Sequence, residues 1–164
     1  MVESVAQWGN GARRDAQILL AVIYRRERRF AEARREVESL AQAFPRNYIL
    51  PLEVASLRRS AEEYPEAIQQ YELVLERVRR GVPNYPQAPL ARIHFELANL
   101  YEITGNLEQA LVHIQQVPGA RGGTEELEKE AAAVRSRIEA KLATQKAPAG
   151  PQAVLRTAGA SAAP

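Results

Sequence analysis

Three stretches of the chain superpose at fixed offsets: Leu20-Ala21 with Tyr24 and Ala33, Val54-Ala55 with Ala67, and Leu97-Ala98 with Tyr101 and Ala110. Self-similarity at this interval marks a stack of supersecondary units, none of which can bury its apolar face alone. Leu20 and Val54 are 34 residues apart, and Val54 and Leu97 are 43 apart, so the second interval is longer by nine. The spacing predicts three stacked helical pairs with an insertion between the second and the third.

Each shared position has a physical task. On a helical wheel Gln17, Leu20, Ala21 and Tyr24 share one face, and Phe30, Ala33, Val37 and Leu40 share one face of a second helix, so a unit is an amphipathic pair. A small Ala at the crossing lets two backbones approach, and the larger residues around it interdigitate. Helix boundaries agree with this phasing. Gly105-Asn106 supplies a C-terminal glycine and then an Asn N-cap, with Gln109 at the capping-box position. Pro51, Pro65 and Pro89 are expected in first helical turns, where a missing N–H costs little, and Pro45 ends the first pair.

The pattern resembles the tetratricopeptide repeat (TPR) family, whose signature runs W-x2-L-G-x2-Y, then A, F and P. Unit one supplies Leu20, Ala21, Tyr24, Phe30, Ala33, Val37 and Pro45; unit two Val54, Ala55, Tyr64, Ala67 and Tyr71; unit three Leu97, Ala98, Tyr101, Gly105, Leu107, Ala110 and Ile114. The Trp position holds Gln17, Pro51 and His94, and the Tyr position of unit two is Arg58, so this is a degenerate, bacterial-type array phased over Arg14 to Val117. The resemblance implies an all-α fold, a right-handed α-solenoid of antiparallel helix pairs. It also implies that the first helix of each unit lines a concave groove for a protein or peptide partner. Members that clamp a C-terminal carboxylate use Lys and Asn at groove positions that here are Ile18, Val22, Leu52 and Ser56. Only Asn99 suits such a clamp, which argues against that ligand.

The expected organisation is a lead-in over 1–11, three hairpins over 12–123 (about 12–47, 48–87 and 88–123), a capping helix over 124–142 and a disordered tail over 143–164. Val2 to Trp8, ahead of Gly9-Asn10-Gly11, reads as the remnant of a preceding helix. In the capping segment Thr124 is the N-cap, and Leu127, Ala131, Val134, Ile138 and Leu142 form one stripe opposite Glu128, Lys129, Arg135 and Glu139. Such a helix covers the exposed end of a solenoid. The tail is Ala, Pro and Gly with few charges and too little apolar surface to order itself. The insertion, Arg79 to Gln87, carries Gly81, Pro83 and Pro86 and reads as a surface loop. Loop length acts only logarithmically, so replacing Val82 to Pro86 by a flexible linker is expected to cost less than about 1 kcal/mol.

Composition excludes several functions. Zero Cys removes disulfides, thiolate catalysis and Cys-based zinc sites. No apolar run approaches the roughly 20 residues of a membrane span. The start has neither the basic nor the apolar part of a signal peptide, so the expected location is cytoplasmic for the sequence as given, or periplasmic if an export segment precedes it. There is no phosphate loop, no G-x-S-x-G and no H-E-x-x-H, and the expectation is a non-enzyme without cofactor, metal or small-molecule substrate. His94 and His113 fall on different helices of unit three and read as packing residues. The basic run Arg25-Arg26-Glu27-Arg28-Arg29, with Arg34 and Arg35, offers a nucleic-acid or acidic-partner surface. Interleaved Glu27, Glu32, Glu36 and Glu38 and a net charge of only +2 favour a solvated, salt-bridged helix face instead, with Glu32 paired to Arg28 or Arg29 and Glu36 to Arg29 or Arg35.

The face of each first helix opposite the core gives the candidate groove: Ile18, Val22 and Arg25 in unit one, Leu52, Ser56 and Arg59 in unit two, and Arg92, Phe95, Asn99 and Glu102 in unit three. Ile18, Leu52 and Phe95 run down its middle and Arg25, Arg26 and Arg59 flank them, which suits a segment with apolar anchors and acidic flanks. The same three apolar residues also fit a purely structural role, packing first helices between units. The expected function is therefore a non-catalytic interaction scaffold, with a structural spacer or docking segment of a longer protein as the alternative and nucleic-acid binding through Arg25 to Arg35 third.

Overall fold

The computed structural model describes residues 2–147, with side chains from residue 11 onward. Among these residues there are seven α-helices and no strand: α1 (Val2–Arg26), α2 (Phe30–Ala43), α3 (Ile49–Ser60), α4 (Tyr64–Arg79), α5 (Leu90–Ile103), α6 (Leu107–Ile114) and α7 (Glu125–Lys146). Helices pack as α1/α2, α3/α4 and α5/α6 pairs, and each pair also packs on the next. The fold is a TPR-like helical solenoid, as the 34- and 43-residue steps imply.

The repeat positions explain why the pairs close. Ala33, Ala67 and Ala110 are fully buried at the three crossings. The turn inside each pair is the same motif: Arg29 N–H donates to Tyr24 C=O, Glu63 N–H to Arg58 C=O and Asn106 N–H to Tyr101 C=O. That motif needs one left-handed residue, and it is Arg28 (φ 60°), Glu62 (φ 61°) and Gly105 (φ 84°). Only unit three places glycine there. Left-handed backbone costs a side-chain-bearing residue roughly 1 kcal/mol. Glu62→Gly should therefore raise stability by about 0.5–1 kcal/mol, read as a higher denaturation midpoint at unchanged m-value. An unchanged or lower midpoint would show that Glu62 contributes something the turn geometry does not account for.

Asn106 caps α6 as expected, its Oδ1 accepting from Gln109 N–H at 3.2 Å, and Thr124 Oγ1 caps α7 by accepting from Leu127 N–H at 3.2 Å. Pro51 and Pro65 lie in first turns, whereas Pro89 immediately precedes α5. Two boundaries move. The first helix runs from Val2 through Gly9-Asn10-Gly11 without a break, so residues 2–11, expected as a lead-in, are continuous with the first helix of unit one. At the other end α7 continues to Lys146, four residues beyond the expected Leu142, because Ala143, Thr144, Gln145 and Lys146 extend the helix into solvent. The expected tail beyond residue 147 lies outside the described residues.

The insertion overturns its expectation as a dispensable loop. Tyr85, in a short 3-10 turn over Tyr85–Gln87, is 0% exposed, and Ala88 is fully buried beside it. Both join the core between units two and three with Tyr71, Val74, Ile93 and Leu97. Arg77 Nη1 donates to the Tyr85 hydroxyl at 2.7 Å, and Tyr48 meets the ring edge-on with centroids 6.5 Å apart. The nine extra residues carry an aromatic side chain back into the junction.

Candidate functional site

One surface is shared by α1, α3, α5 and α7, and the positions singled out from the wheel lie on it, but most of them are engaged inside the molecule. Arg25 is paired with Glu53, and its Nη2 donates to Ser56 Oγ at 3.1 Å. Arg59 is paired with Glu96, whose side chain is 5% exposed and which also binds Arg92 at 2.8 Å. Glu102, its side chain 6% exposed, accepts two hydrogen bonds from Arg137 at 2.8 and 2.6 Å and one from Lys141 at 2.7 Å. The Arg137 guanidinium holds the Glu102 carboxyl down at about 2 despite the opposing effect of burial. The expected cationic flank for an acidic ligand is thus largely neutralised by neighbouring units.

Phe95 is corrected as well. It is 9% exposed and sits in the cluster of Ala98, Ala110, Ile114, Leu127, Val134 and Ile138, beneath α7. Phe95 stands three residues before Ala98 and shares its side of α5, where α6 and α7 both pack, which makes an expected anchor for a ligand into a packing residue. Leu52 is half-buried against the core of units two and three. Asn99 donates through Nδ2 to its own helix at Phe95 C=O, 3.0 Å. Ser56 receives Arg25, as above.

What remains open lies at the first junction. Ile18 and Val22 are each 47% exposed and Ile49 is 59% exposed. They wall a cleft of about 730 Å3 between α1 and α3, floored by Ala21, Val37, Leu40 and Leu50, with Arg25, Arg26 and Glu53 at the rim. A second cleft of about 670 Å3 lies between the α2–α3 turn and the insertion, lined by Phe44, Tyr48, Asn84 and Gln87 among others. Asn47 and Ile49 belong to the walls of both. Ile49 stands at the first position of α3, on the face that the wheel assigns to the groove.

Half of the arginines of the basic run, Arg25, Arg29 and Arg34, have carboxylate partners among the described residues. Arg29 binds Glu27 and Glu32 and stacks 4.6 Å over the Tyr24 ring, and Arg34 binds Glu38 and Glu63. The expected Glu32 pair forms with Arg29, whereas among the described residues Glu36 pairs with neither Arg29 nor Arg35.

The two histidines form a buried polar chain. His94 Nδ1 and His113 Nδ1 lie 2.9 Å apart, His113 Nε2 is 3.0 Å from Glu72 Oε1, Tyr101 donates to the same oxygen at 3.3 Å, and the Tyr101 and His113 rings stack. The chain ties α4 to α5 and α6. Burial, then the neighbouring His113, lowers the His94 pKa from 6.5 to about 4. Glu72 is also held below its usual range, chiefly by the His113 hydrogen bond. Among the described residues no group of three or more His, Asp or Glu is placed to hold a metal.

The sign of the pH effect follows. An unfolded His94 takes its proton near pH 6.5 and the folded one only near pH 4, so its contribution is complete above 6.5 and is lost as pH falls toward 4. Melting temperature should drop between pH 7 and 5. His94→Asn keeps a donor toward His113 Nδ1 without a titrating ring, and should flatten that slope. An identical slope in the variant would assign the pH dependence to other groups.

No protein-family model matches the chain, and no curated protein does. Among solved structures, one described as "Crystal structure of PcrH in complex with the chaperone binding region of PopD" superposes with a TM-score of 0.61 and 17% identity, covering 78% of this chain and 92% of that chain. At that identity the likeness establishes the architecture, a TPR-like helical repeat fold.

Proposed function

We propose that the chain is a non-catalytic scaffold that binds a segment of another protein in the α1–α3 cleft. The observation that carries this reading is the cleft itself: about 730 Å3, with Ile18, Val22 and Ile49 exposed on its walls while the corresponding surface of the later units is closed by ion pairs and by α7. Its size and apolar lining suit two or three apolar side chains of an extended or helical segment. Arg26, which makes no ion pair among the described residues, favours an acidic residue at one end of that segment. PcrH, of the same fold, is solved in complex with a region of PopD, which lends support to a protein ligand.

The test is selection of binders from a displayed random-peptide library, followed by affinity measurement on the enriched peptides. Val22→Glu, at an exposed position, should leave helicity unchanged and weaken those peptides at least tenfold, or about 1.4 kcal/mol. Failure to enrich any peptide, or equal affinity for wild type and Val22→Glu, would leave the spacer reading. That second reading is favoured by Arg25, Arg59 and Glu102 pairing across junctions and by Phe95 packing beneath α7. Nucleic-acid binding through Arg25 to Arg35 ranks below both, since Arg25, Arg29 and Arg34 already have carboxylate partners.

A further inference from the structure

Three positions recur on the face that each first helix turns toward the preceding unit: Ala16, Leu20 and Ile23 in α1, Leu50, Val54 and Leu57 in α3, and Ile93, Leu97 and Leu100 in α5. In α3 they join Ala33 and Val37 of α2, with Val54 and Leu57 buried. In α5 they join Ala67, Tyr71 and Val74 of α4, with Ile93, Leu97 and Leu100 buried. In α1 the same positions are open: Leu20 and Ile23 are each 39% exposed, and Leu19 beside them is 61% exposed. The surface that stacks units elsewhere in this molecule is therefore presented to solvent here, at a point where the repeat itself specifies what fits: a helix with small residues alternating with branched apolar ones.

Helix α1 carries such a stripe itself, Ala12, Ala16, Leu19, Leu20 and Ile23, at i, i+4, i+7, i+8 and i+11. Antiparallel pairing of two such stripes about Leu19 and Leu20 sets Ala16 opposite Ile23 of the second copy, small against large. The wheel puts Asp15 and Arg26 together on one edge of the stripe. An antiparallel two-fold brings that edge against the same edge of the other copy, so Asp15 meets Arg26. A parallel pair would set Ala16 against Ala16 and Ile23 against Ile23, losing the small-against-large fit. The opposite end of the solenoid offers no match, because the outward face of α7 carries Lys129, Arg135 and Glu139, all exposed. The contact is consequently isologous and closes at two.

We infer that two copies of this chain associate through the outer stripe of α1, antiparallel, with Asp15 paired to Arg26 of the second copy. This goes beyond the cleft reading and uses the neighbouring side of α1, sharing only Arg26 with the cleft rim. The test is sedimentation equilibrium of the full chain from about 5 to 200 μM, with peptide affinity measured in parallel. The expected result is a concentration-dependent rise toward twice the 18.2 kDa chain mass. Leu19→Glu should hold the protein at the monomer mass with helicity by circular dichroism unchanged and cleft binding retained. Asp15→Arg should weaken the dimer at least tenfold, and the exchange Asp15→Arg with Arg26→Asp should restore it. A wild-type chain that stays monomeric throughout would assign the stripe to a helix of another protein and overturn the proposal. A dimer that survives Leu19→Glu, or one the charge exchange fails to rescue after Asp15→Arg has weakened it, would overturn it equally.

Discussion

A chain ending at Gly123 should lose most of its cooperative unfolding transition and associate in solution. Helix α7 buries Leu127, Ala131, Val134 and Ile138, and its removal also uncovers Phe95, Ile114 and Val117 beneath it. At roughly 1.5–3 kcal/mol for each large apolar side chain returned to water, the loss is of the same order as the 5–15 kcal/mol that holds an ordinary domain together. Glu102 would in addition lose Arg137 and Lys141. The measurement is calorimetric or denaturant unfolding of the truncated chain beside the full one, with sedimentation to detect association. Equal midpoints would mean that α7 is an appendage and not the end wall of the core. Removing only residues 148–164 should leave the midpoint where it is.

Tyr85→Ala should cost about 3–5 kcal/mol, the range for a fully buried aromatic side chain. The ring fills the space between α4 and α5, and its hydroxyl is the partner of Arg77, so truncation leaves both a cavity and a half-buried guanidinium without its acceptor. Tyr85→Phe separates the two contributions. It keeps the ring and removes the hydrogen bond, with an expected loss of about 1–2 kcal/mol. Denaturant midpoints for the pair decide the matter, and an Ala variant within about 1 kcal/mol of wild type would return the insertion to the status of a surface loop.

The contrast between Tyr85 and Ala33 shows which parts of this fold are legible in sequence. Ala33, Ala67 and Ala110 occupy one repeat position, and the helical period ties each to its neighbours, so three weak local signals reinforce one another. The turn residues Arg28, Glu62 and Gly105 obey the same steps, although only the glycine announces itself. Tyr85 has no counterpart in the other units, and the Gly and Pro around it are ordinary loop signals; its burial depends on Arg77 and Tyr48, which nothing local points to. The surroundings of the candidate site were hidden for a related reason. A wheel sets Phe95 beside Ala98 but does not show that α7 arrives on that side. Nor can it show that Arg25 and Arg59 meet Glu53 and Glu96, which lie 28 and 37 residues further along the chain. The exposed part, Ile18 and Val22, was legible because no later unit reaches it.

The charged pairs between units have a direction. Arg25, Arg59 and Glu102 occupy one repeat position, and so do Glu53 and Glu96. At the first two junctions the earlier helix offers the cation and the later one the carboxylate, whereas at the third Glu102 offers the carboxylate and α7 answers with Arg137 and Lys141. Polarity therefore encodes the order of assembly. A helix of the α3 or α5 type set against unit three would bring Glu53 or Glu96 up to Glu102, and α7 set against unit two would bring Arg137 up to Arg59. Both mismatches place like charges in contact at partly buried sites, which costs several kcal/mol. Apolar stripes alone cannot make this distinction, since they are nearly equivalent from one unit to the next. The inversion at position 102 suits that junction to α7 and to neither of the earlier first helices.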